Sequence, residues 1–177
     1  TLDSVSQALQ EVDDTADIRE VMTTCIERCY SMSKFITKFA DVVKIPEPQL
    51  QVYDINTLTN TCLQIMEATC NERKIKIHRN FAESPLNAKV DTVLMEQALV
   101  NIIKNSAESI GQNGDIYIST TTSPAMIEIA DNGPGISDET ARKLFSPFFS
   151  TKPNGQGIGL IFIREVLTKH HLRFSLK

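Results

Sequence analysis

Apolar residues recur at helical intervals from the start of the chain. Leu2, Val5, Leu9 and Val12 follow at spacings of 3, 4 and 3, the repeat that lines one face of an α-helix. The polar stretch 11–17 interrupts this repeat and predicts a turn, with Asp17 as the N-cap of a second helix. From 18 to 45 the apolar spacing resumes in two parallel rows. One holds Ile18, Val21, Cys25, Met32, Phe35, Phe39 and Val42; the other holds Met22, Cys29, Ile36 and Val43. Together they form a stripe too wide for one partner helix. The economical solution is a four-helix bundle made by two chains, each giving one hairpin over 1–45. The alternative is that the stripe packs on the remainder of the chain.

Pro46-Glu-Pro48 ends this helix, because the residue before a proline avoids the helical region. A linker is therefore predicted over 46–53, and a second domain over 54–177. In that domain Asp54 caps a helix running to about Asn71, with Leu58, Cys62, Ile65 and Met66 inward. Ile75, Ile77, Arg79 and Phe81 alternate with charged or polar neighbours and predict a strand over 74–81 with one wet face. A long helix is expected over 91–110, with Leu94, Ala98, Ile102 and Ile110 on its core side, then a turn over 111–114. Stretches 115–121 and 126–130 read as a β-hairpin around Ser123-Pro124. A last helix over 158–170 precedes a last strand over 172–176. Helices and antiparallel strands in one unit predict an α+β sandwich.

Composition sharpens this picture at a few points. The 177 residues carry 18 Lys and Arg against 22 Asp and Glu, a net charge of −4, so no basic footprint for nucleic acid or an anionic membrane is present. No apolar run approaches the ~20 residues of a membrane span, and no signal peptide opens the chain. Cys25, Cys29, Cys62 and Cys70 lack the spacing of paired zinc knuckles and read as reduced, buried residues of a cytosolic protein. All seven glycines lie after Ile110, five of them as Gly133 and Gly135, then Gly155, Gly157 and Gly159. Glycine belongs where backbone must take positive φ or approach something closely. A glycine-free front and a clustered back predict a helical first part and a ligand-facing second part.

Three stretches carry candidate chemistry. On the helix at 91–110, Gln97, Asn101, Asn105 and Glu108 form a polar stripe at spacings of 4, 4 and 3. Asparagine is a poor helix former, and its amide oxygen suits a hard cation such as Mg²⁺. Next, the strand Ile127-Glu-Ile-Ala runs into Asp131-Asn-Gly-Pro-Gly135. A carboxylate there can accept from an exocyclic amine, while the glycines let a flat ring approach the backbone. Finally, Lys152-Pro-Asn-Gly155-Gln-Gly157-Ile-Gly159-Leu160 leads into a helix. Free backbone N–H groups at a helix start suit phosphates. The stretch matches neither a Walker A loop nor a dinucleotide fingerprint, and the protein-kinase signatures are missing. Between the last two stretches, Phe145, Phe148 and Phe149 could cover a bound ligand. Each stretch also has a bland reading: a solvated helix face, a surface turn, a flexible linker and a small satellite core.

In this order the stretches resemble the boxes of sensor histidine kinases and, more broadly, of the GHKL ATPases. The N box is Gln97-Ala-Leu-Val-Asn101-Ile-Ile-Lys-Asn105-Ser-Ala-Glu108, the G1 box Asp131-Asn-Gly-Pro-Gly135, the F box Phe145-Ser-Pro-Phe148-Phe149 and the G2 box Gly155-Gln-Gly157-Ile-Gly159-Leu160. The resemblance implies a dimeric four-helix bundle built from the hairpin at 1–45, followed by a two-layer α/β sandwich of the GHKL (Bergerat) type. It implies ATP and Mg²⁺ as ligands, with Asp131 bonding the adenine amine and Asn105 holding the metal. Asn101 would line the phosphate site. Gly133 and Gly135 would shape the adenine pocket. Gly155, Gly157, Gly159 and Leu160 would wrap the phosphates, and Lys152 would contact them.

The implied reaction is transfer of the ATP γ-phosphoryl to a histidine of the bundle, for relay to a response-regulator aspartate. The implied partners are a second copy of the chain and a receiver domain, in the cytoplasm or on the cytoplasmic part of a membrane-bound sensor. Several positions depart from the family pattern. The histidines here are His78, His170 and His171, none on the first helices, so the acceptor is expected upstream of Thr1 and this chain is not expected to phosphorylate itself. Glu108 stands where many relatives carry Lys or Arg, and His171-Leu172 replaces a glycine-rich turn. Two other classes remain. One is an ATPase that clamps a partner, which would usually carry a Glu at Asn101; the other is an interaction module with a degenerate nucleotide site.

Overall fold

The computed structural model describes residues 15–43, 45–146, 149–152, 155 and 157–176, with side chains of the first helix described from Ile18 to Ser33. It divides into two units, one ending at Lys44 and one comprising Ile45–Lys177. The first unit contains helix α1 (Thr15–Val43). The predicted cap, Asp17, lies within this helix. The predicted first arm of the hairpin, 1–13, lies outside the described residues. Ile18, Met22, Ile26, Tyr30 and Met32 are exposed along α1.

The second unit opens at Ile45, which is buried. Strand β1 (Gln51–Asp54) pairs antiparallel with β3 (Asn87–Val90), Gln51 opposite Val90. Part of the stretch expected as a linker thus forms a strand. Pro46 and Pro48 end a helix but do not prevent the next residues from pairing, and four residues are too few for an alternation to show. Helix α2 (Ile55–Glu72) follows directly, as its capping residue implies: the Asp54 carboxylate accepts from the backbone N–H groups of Asn56 and Thr57. The same carboxylate accepts from Leu86 N at 2.9 Å and so fastens the loop before β3.

Strand β2 (Lys76–Asn80), helix α3 (Thr92–Ile110), strand β4 (Asp115–Thr122) and strand β5 (Ala125–Asp131) complete the frame. The second sheet has the order β2-β4-β5. Its β4–β5 pair is the predicted hairpin, but β2 runs parallel to β4 rather than antiparallel. A parallel pair needs a long crossover, which β3 and α3 supply. Helix α4 (Asp138–Lys143) and helix α5 (Gly159–Lys169) follow.

The predicted last strand over 172–176 is absent: these residues form neither helix nor strand. Leu172, Phe174 and Leu176 alternate but are all exposed. Phe174 instead meets Phe145 edge-on, with centroids 5.9 Å apart.

Helix α3 is the central element because it is apolar on two sides. Met95, Leu99, Ile103 and Ala107 join α2 and the sheet residues Ile116 and Ile118 in the main core. Leu94 and Ala98 face Ile163 and Val166 of α5 in a second cluster, with Ile102 partly buried beside them. The sequence pattern over 91–110 names the second side through Leu94, Ala98 and Ile102, and only Ile110 of the first. Each such side chain contributes about 1.5–3 kcal/mol on burial, so α3 is held rigidly between the sheet and α5. Among the described residues no helix is long and apolar enough to cross a membrane.

Candidate functional site

Asp91 fixes the start of α3. Its carboxylate accepts from Val93 N and Leu94 N, and its other oxygen accepts from Gln49 N at 2.9 Å. Its backbone N–H donates to Nε2 of the buried His170 at 2.9 Å. A backbone N–H can only donate, so Nε2 accepts and Nδ1 carries the proton, donated to Val166 O at 2.7 Å. The end of α5 is thereby tied to the beginning of α3.

The polar stripe runs along the half-buried side of α3. Asn101 turns back on its own helix, its Nδ2 donating to Gln97 O at 2.9 Å. One turn later, Asn105 Oδ1 accepts from Lys152 Nζ at 3.3 Å. The same ammonium forms an ion pair with Glu108 Oε2, and Lys104 Nζ lies 3.9 Å from Glu108 Oε1. Lys152 is itself placed by backbone contacts. Its N–H donates to Ser150 Oγ, and its carbonyl accepts from Gly155 N at 3.0 Å. Periodicity assigns Asn105 and Glu108 to one stripe; the pairing with Lys152 spans the chain and has no local signal.

Strand β5 delivers the next residue. Asp131 ends it and is exposed, with Oδ1 accepting from Gly133 N at 3.0 Å. Gly133 abuts the last turn of α3: a Cβ there would lie 2.9 Å from Ser109 Oγ and 3.3 Å from Ile110 N. No side chain fits without displacing the turn, so glycine permits the close approach. Gly135 is exposed and takes φ +74°, which a side-chain-bearing residue rarely adopts.

Asn132 has no role in the sequence reading, yet it clamps this turn. Its Oδ1 accepts from Asp115 N at 2.8 Å, and its Nδ2 donates to Asp115 Oδ2 at 3.3 Å. A local signal exists, since Asx side chains bond nearby backbone in turns, but it does not point to the cross-strand partner. Asp115 also holds His78 Nε2 at 2.7 Å, and the His78 ring stacks on Tyr117 with centroids 4.7 Å apart.

The remaining predicted residues lie at the entry to α5. Gly155 is exposed, Gly157 is half-buried, and Gly159 is the first residue of the helix with nothing within 4 Å of a Cβ built there. Among the described residues no side chain caps this helix start, which leaves the first-turn N–H groups available to a ligand. Leu160 packs into the α3–α5 cluster rather than facing outward, so its contribution is to seat the helix. Phe145 lies under the Arg164 guanidinium, 5.6 Å from the ring centroid, and beside Phe174. For Phe145 this is the small aromatic cluster of the bland alternative. Phe148 lies outside the described residues.

Three stretches far apart in sequence thus meet α3. The turn after β5 meets its last residues, Lys152 meets Asn105 and Glu108, and α5 packs along its first half. The arrangement offers one exposed carboxylate with adjacent glycine backbone, a paired amide and carboxylate holding a cation, and a helix start without a side-chain cap.

Comparison with known proteins bears on the family and the fold. Residues 90–177 match the family described as histidine kinase-, DNA gyrase B-, and HSP90-like ATPase. The C4-dicarboxylate transport sensor protein DctS of Rhodobacter capsulatus is 34% identical over 142 residues, covering 77% of this chain and 22% of that protein. The sensor histidine kinase ZraS of Escherichia coli is 29% identical over 141 residues, covering 78% and 30%. The chain therefore spans less than a third of the length of these relatives. Among solved structures, the nucleotide-free catalytic domain of histidine kinase ThkA superposes with a TM-score of 0.62 at 27% identity, covering 69% of this chain and 82% of that one. ThkA in complex with its response regulator TrrA gives 0.67 at 20% identity, covering 95% and 49%, a likeness of fold. The chain carries the catalytic ATPase domain of the sensor histidine kinase family, an α+β fold preceded by a helix.

Proposed function

We propose that this chain is the ATP-binding core of a two-component sensor kinase that passes the γ-phosphoryl of ATP to a histidine. The observation that carries it is the convergence of the Asp131 turn and Lys152 on the polar stripe of α3. Asp131 accepts a hydrogen bond from the adenine amine, and Gly133 and Gly135 let the ring lie against backbone. Lys152 and the first-turn N–H groups of α5, reached through Gly155, Gly157 and Gly159, meet the phosphates. Asn101 lines the same stripe. In this reading the second unit is a two-layer sandwich of the GHKL type.

The residues present fit a hard divalent ion. Asn105 Oδ1 and Glu108 Oε2 already hold a cation, the Lys152 ammonium, and both are oxygen donors. Among the described residues no cluster of three His, Cys, Asp or Glu side chains forms a protein cage. Asn105 would therefore hold Mg²⁺ together with phosphate oxygens and water, as this ion prefers. Bound there, the ion supplies charge neutralisation for phosphoryl transfer. The acceptor is a histidine nitrogen outside this sequence: the P–O bond to ADP breaks as the N–P bond forms. The exposed apolar side chains of α1 serve a homodimer through the helical hairpin, and a receiver domain takes the phosphoryl in turn. The protein acts in the cytoplasm.

Calorimetric titration with ATP and Mg²⁺, beside Asp131→Ala, tests this reading. Saturable binding by the intact chain that the substitution weakens by at least tenfold is expected. An intact chain that binds no ATP would overturn it.

A further inference from the structure

Glu108 is given no ligand of its own in the function proposed above, yet it stands at the centre of the site's charge. Both of its carboxylate oxygens meet lysines, Lys152 at Oε2 and Lys104 at Oε1. Its side chain is only 29% exposed, less than those of Lys152 and Lys104 at 38% and 57%. The Lys152 side chain crosses from the segment before α5 to reach it, and in doing so places its Nζ 3.3 Å from Asn105 Oδ1. That oxygen is the proposed metal ligand. Two cations at that one oxygen would repel strongly in a half-buried setting.

We infer that Glu108 is a positioning residue that parks the Lys152 ammonium in the cation place beside Asn105, so that Lys152 and a metal ion compete for it. The inference rests on the ATP-binding reading above and goes beyond it. Without nucleotide, Glu108 and the Asn105 dipole compensate Lys152. When Asn105 Oδ1 takes a metal ion instead, Lys152 leaves and is free to reach a phosphate. Glu108 sets how readily it leaves. Lysine suits this exchange, being a compact charge on a flexible stem without the fixed fork that would lock an arginine to the carboxylate. The spacing of three between Asn105 and Glu108 puts both oxygens on one side of α3, one turn apart.

The consequence is read most directly with metal-free ATP. Breaking a partly exposed lysine–carboxylate pair is a prerequisite for Lys152 to contact phosphate, so weakening the pair strengthens metal-free binding. Glu108→Gln keeps the size of the side chain and removes the charge. In calorimetry of the full chain with ATP in excess EDTA, this variant is expected to bind about fivefold more tightly than the parent, the order set by one partly exposed ion pair. With Mg²⁺, which reaches Asn105 only as Lys152 vacates it, the gain is expected to be at least as large. Glu108→Asp, confirmed folded by its thermal melt, is expected to restore most of the parental metal-free affinity.

Removing a negative charge would also favour any anion nearby, and a double-mutant cycle separates that effect. In a Lys152→Met background, Glu108→Gln is expected to change metal-free binding by less than twofold. An equal gain with and without Lys152, or no gain in the single variant, overturns the inference while leaving ATP binding intact. A parent chain that binds ATP under neither condition overturns the functional reading, and this inference with it.

Discussion

Replacing Asp91 tests how α3 is anchored, because one carboxylate performs three tasks. Oδ1 accepts from Val93 N at 3.0 Å and Leu94 N at 3.1 Å, and Oδ2 accepts from Gln49 N at 2.9 Å. An N-cap is worth about 1 kcal/mol, and a hydrogen bond to a charged acceptor at least about another 1 kcal/mol. Asp91→Ala loses both and is expected to destabilise by about 2 kcal/mol. Asp91→Asn keeps an oxygen for the cap but presents an amide nitrogen to Gln49 N, so about 1 kcal/mol is expected from the loss of that bond alone.

The carboxylate also links stability to acid. Burial pushes its pKa up, but the backbone N–H groups of Gln49, Leu94 and Val93 outweigh burial and leave it below the ordinary value. A depressed folded pKa gives stability that is present above the unfolded value of ~3.9 and is lost as pH falls through the folded one. Urea unfolding followed by far-ultraviolet circular dichroism at pH 7, and at steps down to pH 3, measures both effects. The parent is expected to lose stability on acidification more steeply than Asp91→Asn. A loss below about 0.5 kcal/mol for Asp91→Ala, or an unchanged acid slope in Asp91→Asn, would refute the reasoning.

Two further expectations follow from the same geometry. Gly133→Ala puts a Cβ 2.9 Å from Ser109 Oγ and 3.3 Å from Ile110 N, so the turn carrying Asp131 must shift; ATP affinity is expected to drop by about tenfold, the order of one lost hydrogen bond at Asp131, while Gly159→Ala, with nothing within 4 Å, leaves the fold stable. Thiol labelling at pH 8 is expected to spare buried Cys62, whose pKa burial and the Glu96 charge push up to about 11. Stability from the protonated Cys62 is complete below the unfolded thiol pKa of ~8.5 and declines as pH rises toward the folded value, so rapid labelling of Cys62 in the folded chain would contradict its placement in the core.

Legibility in the sequence tracks the range of each interaction. The helices α2, α3 and α5 are readable because their caps and apolar repeats are local, and Asp54 caps α2 as predicted. The strands β1 and β3 are not readable, because four residues each carry no period and each exists through the other. Alternation over Leu172, Phe174 and Leu176 suggests a strand, but alternation needs a partner edge to become one. In α3 the inward row chosen from spacing is the α5-facing one except for Ile110, which joins the main core, since a helix apolar on two sides has no single stripe. The candidate residues are legible as types in motifs. The joining of Lys152 to Glu108 and of Asn132 to Asp115 is a matter of tertiary placement, which no local spacing encodes.

If α3, the Asp131 turn and Lys152 together form one nucleotide site, all three must respond to the same ligand. Titrating the isotope-labelled chain with a non-hydrolysable ATP analogue and Mg²⁺, and following backbone and asparagine side-chain amides by NMR, reads that response at each of them. The largest shifts are expected at the Asn105 side-chain amide, Gly133, Gly135 and Lys152, with Tyr117 and His78 on the outer sheet face unmoved. Saturable binding whose shifts fall on that outer face, or along α1, with Asn105 and Gly133 unchanged, would show that the nucleotide binds elsewhere.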